Sequence, residues 1–254
     1  MSVLGMIPAR GGSKRLRAKN VRKLDGKPLV AHTIEAGLES EIFDELIVST
    51  DDEEIAKIAS DYNASVPFIR PAEFATDEAQ VKDVAKHAIK YFEKEGKNFD
   101  EVMCLLPTTP LRAANDIKQS YRKFNEKNCN YLISVTDYRY TPVRAFTSND
   151  KDFLEPYWLG NSSMDERSEI FARSQEHPDF LVDCGAIYLM DTDKFLNDHT
   201  LHGENCVGYY MPPERAIDID DRFDFKLAEL ILQEKLALEK EEEEGYDMLK
   251  DGRY

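Results

Sequence analysis

The chain has 254 residues, 42% of them hydrophobic and 32% charged, which suits one large α/β domain or one domain carrying an inserted subdomain. Its formal net charge of −16 argues against a nucleic-acid partner, because a phosphate backbone needs a basic surface. No apolar run approaches the roughly 18 residues of a membrane span, and the four dispersed cysteines, with no CxxC pair, fit a reducing, cytoplasmic setting better than a disulfide framework.

Val3 to Ile7 reads as a short buried strand, and Gly5 and Pro8 make the opening MSVLGMIPARGG a poor signal peptide. Pro28 to Leu38 reads as a helix with Leu29, Val30 and Ile34 on one face. A strand follows at Glu45 to Ser49, then a helix from Asp52 to Tyr62 capped by Thr50 or Asp51. Val66 to Ile69 is expected as a strand, Val81 to Glu95 as a helix, Val102 to Leu106 as a strand, Asp116 to Asn125 as a helix and Tyr131 to Val135 as a strand. From about Arg139 to His177 the periodicity weakens, which marks an excursion from the main sheet. Strand signals return at Ala186 to Met190 and Val207 to Tyr210, and a last helix starts near Asp221 before an acidic tail at 241–254. Apolar strands alternating with helices predict a mostly parallel sheet covered on both faces, with ligands bound beyond the carboxyl ends of the strands.

Three segments can carry chemistry. Between residues 10 and 27 stand Arg10, Lys14, Arg15, Arg17, Lys19, Arg22, Lys23 and Lys27, opposed only by Asp25. In an acidic protein, such a cationic cluster directly after a strand suits a small polyanion. Gly11 and Gly12 leave backbone N–H groups unobstructed, and Ser13 adds a hydroxyl, although neither GxxxxGK[ST] nor GxGxxG is present. The second segment is Arg215-Ala216-Ile217-Asp218-Ile219-Asp220. If extended, it turns Asp218 and Asp220 to one face and Ile217 and Ile219 to the other, a hard-oxygen pair suited to Mg²⁺. Asp221 and Asp224 are better explained as caps of the last helix. The third, Leu105 to Arg112, is a proline-pinned loop in which Arg112 serves an anion or a rigid turn equally well, and Ser49 to Asp52 and Arg70 to Asp77 carry the same ambiguity. His199 and His202 have no third metal ligand nearby, and no nucleophile elbow or Cys/His site stands out.

Taken together, IPARGGSKRLRAKN, IVSTDDEEIA, FIRPAEFATDEA, LLPTTPLR, DCGAIYLMDTDKF and IDIDDRFDF resemble, in order, the acylneuraminate cytidylyltransferase (CMP-sialic acid synthetase) family, including its pseudaminic and legionaminic acid branches. The resemblance implies a Rossmann-like nucleotidyltransferase fold over residues 1–240, with a dimerisation lobe inserted at about 139–177 and a homodimer. It implies transfer of CMP from CTP to the anomeric hydroxyl of a nonulosonic (sialic-acid-like) sugar acid, with Mg²⁺ and release of pyrophosphate. By position, Arg10, Lys19, Asp218 and Asp220 would be catalytic, the two aspartates as metal ligands. Ala9, Gly11, Gly12, Ser13, Lys14, Asn20, Arg70 and Asp77 would hold the nucleotide. Leu106, Thr108, Arg173, Gln175 and Tyr188 would border the sugar, with Arg173 reaching the partner's site.

The chain also departs from the sialic-acid pattern. Leu106 stands for Gln, Cys184 for the Asn of NGAIY, Ser174 for Arg, and Arg15 and Arg17 for Gly and Pro. Arg-Ser-Gln and Asp183 look more like pseudaminic acid enzymes, whereas Gly185-Ala186-Ile187-Tyr188 looks like the sialic and legionaminic branch. These changes leave the reaction class and open the sugar. A nucleotidyltransferase for another sugar acid, such as 3-deoxy-manno-octulosonate, would show ARxxSxRLPGK, whose spacing is missing. A non-catalytic nucleotide-binding regulator would not need the cationic loop and both aspartates.

Overall fold

Period-two alternation inside continuous apolar runs explains how the central strands meet helices on both sides. In the computed structural model, which describes residues 1–13, 15–138, 142, 145–157 and 180–235, strand β1 (Val3–Pro8) sends Val3 and Ile7 into one core cluster and Leu4 and Met6 into another. A two-stranded ribbon, β2 (Lys23–Leu24) and β3 (Lys27–Pro28), leads into helix α1 (Leu29–Ser40). There follow β4 (Glu45–Ser49), α2 (Glu53–Asp61), α3 (Val81–Lys94), β5 (Glu101–Cys104), α4 (Ala114–Lys127) and β6 (Tyr131–Asp137). A small hairpin, β7 (Phe146–Ser148) with β8 (Leu154–Pro156), precedes β9 (Leu181–Asp191), α5 (Thr192–Asp198), β10 (Cys206–Tyr210) and helix α6 at 222–235.

The main sheet has the order β10-β6-β9-β5-β1-β4. β1 runs parallel to β4 and β5, and β6 parallel to β10, while β9 is antiparallel to both β5 and β6. The sheet is therefore mostly parallel, as expected, with one inverted strand at its centre. One face packs Ile34 of α1, Ile55 of α2 and Ile117 of α4. The other packs Ala88 and Phe92 of α3 and Phe195 of α5. The carboxyl ends of β1, β4 and β5 share an edge, and inversion brings the start of β9 to the same edge.

Several boundaries differ from the sequence reading. Val66 to Ile69 forms no strand; only Ser65 and Ile69 bridge to Ile47 and Thr50, since Pro67 lacks the N–H a ladder needs. The α2 cap is Asp52, which accepts the N–H groups of Glu54 and Ile55 at 2.8 and 3.1 Å; neither Thr50 nor Asp51 does so. β9 is longer than foreseen because its first residues, Leu181 to Asp183, are not buried and lack a clean apolar signal. Of the excursion at 139–177, residues 145–157 contribute the β7–β8 hairpin; most of the rest, and the 241–254 tail, lie outside the described residues.

A third cluster positions the site. Ile219, wholly buried, packs with Leu16, Leu24, Leu29 and Phe225, and Ile217 leans on the same group. Burial of a side chain such as Ile219 is worth about 1.5–3 kcal/mol. That exceeds the ~1 kcal/mol by which two like charges repel at contact range in water. The apolar residues thus hold the intervening carboxylates outward. Asp221 accepts from the N–H groups of Phe223 and Asp224 (2.7 and 3.1 Å), and Asp224 accepts from those of Asp220 and Asp221 (2.9 and 3.0 Å), closing the start of α6 as anticipated.

Candidate active site

A cleft of about 480 Å³ opens at the shared strand edge, with Pro8 from the end of β1, Leu106 to Thr108 after β5, Arg70 after β4 and Asp220 before α6 in its walls. Arg10, Ser13, Arg15, Lys19, Asn20 and Asp77 also line it. Residues after β1, after β5 and in the 70–77 loop meet there, whereas Ser49 to Asp52, directly at the end of β4, is not in the lining.

The loop after β1 is built by its own hydrogen bonds. The Ala9 N–H continues the sheet onto the Ser49 carbonyl at 3.0 Å, so Ala9 is a buried spacer. The Asn20 amide donates to the Arg10 carbonyl at 2.9 Å, while its buried Oδ1 has no partner among the described residues. Arg10 donates to the Thr76 carbonyl at 2.8 Å and pairs with Asp77 at 2.9 Å, bridging two walls. The two glycines do not act alike. The Gly11 N–H is taken by Asp51 Oδ1 at 3.0 Å, and a Cβ on Gly11 would stand 2.5 Å from Asp52 Oδ2. Gly11 thus serves a close backbone approach. A Cβ on Gly12 would meet nothing within 4 Å, and both glycines border a second opening beside Arg17 and Thr76.

Arg70 is only 5% exposed, and its guanidinium is already engaged. Its Nε donates to Ser49 Oγ at 3.1 Å, Nη1 to the Phe74 carbonyl at 3.3 Å, and Nη2 to the Ser49 carbonyl. Burial lowers its pKa to about 10, with Asp51 opposing that fall. In this position it braces the wall between β4 and the 70–77 loop. Arg112, read from sequence as an anion contact or a structural turn, is buried and donates to the Ala186 and Leu106 carbonyls at 2.6 and 3.3 Å. It is the turn's brace and does not line the cleft.

Asp220 lines the opposite wall, whereas Asp218 is not in the lining and meets it through a hydrogen bond with Thr108. Desolvation, chiefly, and then the charge of Asp220 raise the pKa of Asp218, while a hydrogen bond from Thr108 lowers it. Asp218 retains solvent contact, yet protein atoms crowd its carboxylate closely enough for desolvation to dominate. Asp220 faces cations: Arg15 Nη1 lies 2.6 Å from Oδ2, and Lys19 Nζ lies 3.7 Å from Oδ1. Lys19 also donates to the Ile219 carbonyl at 2.6 Å. Burial lowers the Lys19 pKa, and the two aspartates pull it back up.

The expected sugar side is reached through β9. Leu106 and Thr108 line the cleft. Tyr188 has its ring in the α3-side core and directs its hydroxyl to Asp183 Oδ2 at 2.8 Å. Its pKa is pushed far up by burial, and next by Asp183. The pairing of β6 with β9 slips between Ile133 and Val135, where Gly185 takes a φ of +69° and donates its N–H to Asp183 Oδ1 at 2.9 Å. Lys14, Arg173 and Gln175 lie outside the described residues.

Three side chains of the site were not singled out as functional from the sequence. Arg15 was visible as one of the cationic cluster, but nothing in spacing ties it to a residue 205 positions away. Asp183 was legible only as an acid ahead of a small residue. Asp51 was taken for a helix cap, and its bond to Gly11 has no local signature.

A cytidylyltransferase family model matches residues 4–195. The pseudaminic acid cytidylyltransferase of Campylobacter jejuni subsp. jejuni serotype O:23/36 (strain 81-176) is 34% identical over 231 residues, spanning 91% of this chain and 96% of that protein. The N-acylneuraminate cytidylyltransferase of Escherichia coli O18:K1:H7 is 34% identical over 236 residues, 92% of this chain and 52% of that longer protein. The CMP-N,N'-diacetyllegionaminic acid synthase of Legionella pneumophila is 32% identical over 92% of this chain and 97% of that protein. Among solved structures, a CMP:2-keto-3-deoxy-manno-octonic acid synthetase complexed with CTP superposes with a TM-score of 0.66, covering 92% of this chain and all of that one; at 16% identity the likeness is one of fold. By its sequence over most of its length, the chain belongs to the cytidylyltransferase family.

Proposed function

We propose that this protein transfers the CMP group of CTP to the anomeric hydroxyl of a nonulosonic acid, with release of pyrophosphate, and that it uses Mg²⁺ to do so. The observation that carries the reading is the Lys19 clamp. It joins a cationic loop to a carboxylate-bearing segment 200 residues away, so that both face one cleft. Relatives named for pseudaminic, N-acylneuraminic and legionaminic acids support the sugar class.

In this reading the sugar hydroxyl oxygen, giving up its proton to solvent, bonds to the α-phosphorus as the bond to the bridging oxygen of pyrophosphate breaks. Arg10 and Lys19 neutralise the charge gathering on pyrophosphate. Asp77 and the Thr76 carbonyl hold Arg10 in place, and the Ile219 carbonyl holds Lys19. Positioning and electrostatics carry most of the work.

The residues fit a divalent cation. Among the described residues no three His, Cys, Asp or Glu side chains form a metal cage, but Mg²⁺ at phosphate sites commonly takes one or two carboxylates and completes its shell with water and phosphate oxygens. The charge of Asp220 adds to the cost of ionising Asp218, and a dication relieves that cost. They would hold the ion, which would supply Lewis-acid polarisation of the phosphate.

A homodimer and a cytoplasmic setting belong to the same proposal. Exposed Phe146, Phe153, Leu154, Tyr157 and Leu181 around the β7–β8 hairpin and the start of β9 support a second copy on that side. Four cysteines without a disulfide agree with a reducing compartment. Among the described residues no helix is long and apolar enough to cross a membrane.

The experiment is pyrophosphate release from CTP with pseudaminic, legionaminic and N-acetylneuraminic acids and 3-deoxy-manno-octulosonate, with and without Mg²⁺. Turnover with one of the nine-carbon acids is expected; turnover only with the eight-carbon acid, or with none, overturns the assignment.

A further inference from the structure

Asp220 is contacted by two cations of this chain, and they are held very differently. The Lys19 side chain is 13% exposed and anchored on the Ile219 carbonyl. The Arg15 side chain is 72% exposed, and Asp220 is the single group it bonds among the described residues. Lys19 is therefore fixed by the fold, whereas Arg15 is held at one point on a long, solvated stem.

Arg15 also lines the cleft beside Arg10, Ser13 and Lys19. A guanidinium binds carboxylate and phosphate by the same planar fork of N–H donors. From its position at the opening, the same side chain can serve Asp220 or a phosphate entering the cleft. Its hold on Asp220 has a consequence for the carboxylate pair. Nη1 stands 2.6 Å from Oδ2, and a divalent cation on that oxygen would be placed against a like charge at contact range. The two cations are alternatives for Asp220.

We propose that Arg15 is a competing cation for the carboxylate pair: it occupies Asp220, gives way to the divalent ion, and transfers its guanidinium to the triphosphate that enters the cleft. This role rests on the reading of Asp218 and Asp220 as the cation site of a CTP-using enzyme. It makes Arg15 a positioning residue that couples loading of the metal to loading of the nucleotide. Screening at an exposed pair limits the effect to a few-fold, and added salt diminishes it.

The test is Mn²⁺ binding to the intact protein without nucleotide, by calorimetry at low ionic strength, for the native chain, Arg15→Ala, Arg15→Gln and Asp220→Asn. Mn²⁺ is expected to bind both Arg15 variants roughly 2- to 5-fold more tightly than the native chain, with the gap closing at high salt. In the same variants, CTP binding measured in EDTA is expected to weaken by a similar factor. Because Arg15 is exposed, circular dichroism should show both variants folded. Equal Mn²⁺ affinity in the native chain and the Arg15 variants overturns the proposal, as does a lack of Mn²⁺ binding to all of them, since removal of the competitor should unmask the site. Native-like Mn²⁺ binding by Asp220→Asn overturns instead the underlying assignment of the cation site. Weakened binding by Asp220→Asn, with no effect of Arg15, rejects the role of Arg15 alone.

Discussion

Lys19 Nζ lies 2.6 Å from the carbonyl oxygen of Ile219, the residue between Asp218 and Asp220. Ile219 is wholly buried, so this acceptor is fixed by the core, and Lys19 with it. Burial depresses the lysine pKa, but Asp220 and Asp218 restore part of what burial takes away. The loop after β1 and the segment before α6 consequently form one electrostatic unit, in which changing either side alters the other.

Loss of either aspartate should separate stability from activity. The folded-state pKa of Asp218 is raised above its ordinary 3.8, mainly by desolvation. The folded state therefore holds the proton more tightly than the unfolded chain, and stability contributed at low pH is lost as pH rises through the folded value. At neutral pH the ionised group is a burden on the fold. Asp218→Asn should raise the melting temperature slightly at pH 7, with the gain shrinking as pH falls toward 3.8. Turnover of Asp218→Asn and Asp220→Asn should fall by about 100-fold or more. A destabilised Asp218→Asn protein, or near-native turnover in Asp220→Asn, would contradict this account.

Gly11 and Gly12, adjacent in sequence, should tolerate alanine very differently. A Cβ on Gly11 meets Asp52 Oδ2 at 2.5 Å, and Asp52 caps α2 through the N–H groups of Glu54 and Ile55. Relieving that clash means loosening the cap, which costs about 1 kcal/mol. Gly12→Ala meets nothing and should melt as the native protein does. Thermal denaturation of the two variants reads the contrast directly; equal melting temperatures would remove the close-approach role of Gly11.

The sequence revealed those features whose causes are local. Alternating strands and helices, the inward Ile217 and Ile219, and the capping roles of Asp221 and Asp224 follow from periodicity and spacing. What escaped depends on contacts between distant segments. The inversion of β9 is set by which strand edge remains open between β5 and β6, and Ala186 to Met190 reads alike in either direction. On sequence alone Arg70 and Arg112, arginines in loops after strands, could each serve an anion or a structural turn. Only the packed structure shows Arg70 donating to the carbonyls of Ser49 and Phe74, and Nη1 of Arg112 to those of Leu106 and Ala186. Arg15 and Asp220 could be recognised as partners only once the fold had brought them together.

The bulge in β9 gives a third prediction. Asp183 accepts both the Tyr188 hydroxyl (2.8 Å) and the Gly185 N–H (2.9 Å), while a Cβ on Gly185 would lie 3.4 Å from Leu106 and 3.9 Å from Asp218. Asp183 therefore shapes the backbone beside the cleft. Tyr188→Phe should lower stability by about 1 kcal/mol, the usual worth of one such bond, and leave the bulge closed by Gly185. Asp183→Ala removes both bonds and should raise KM for the sugar acid more than KM for CTP. A parallel rise of both constants would show that Asp183 supports the whole cleft and has no selective part in the sugar side.

His87 offers a pH test away from the charged loop. Its ring packs edge-on against Phe68 and tilted against Phe74, with centroid distances of 4.7 and 5.0 Å. Desolvation first, then the Arg70 charge and, more weakly, Lys94 lower its pKa below the ordinary 6.5, while Glu73 opposes them. Since the unfolded chain protonates first, it binds more protons than the folded state in the interval between the folded value and 6.5, and stability must fall as pH drops through that interval. His87→Phe keeps an aromatic ring between Phe68 and Phe74, removes the titration, and loses no bond at the buried Nδ1, which has no partner among the described residues. Urea midpoints for the native chain should therefore decline between about pH 7 and pH 5.5 by more than those of His87→Phe. Parallel declines in the two proteins would place the pH dependence elsewhere and free the wall beneath Arg70 from any part in it.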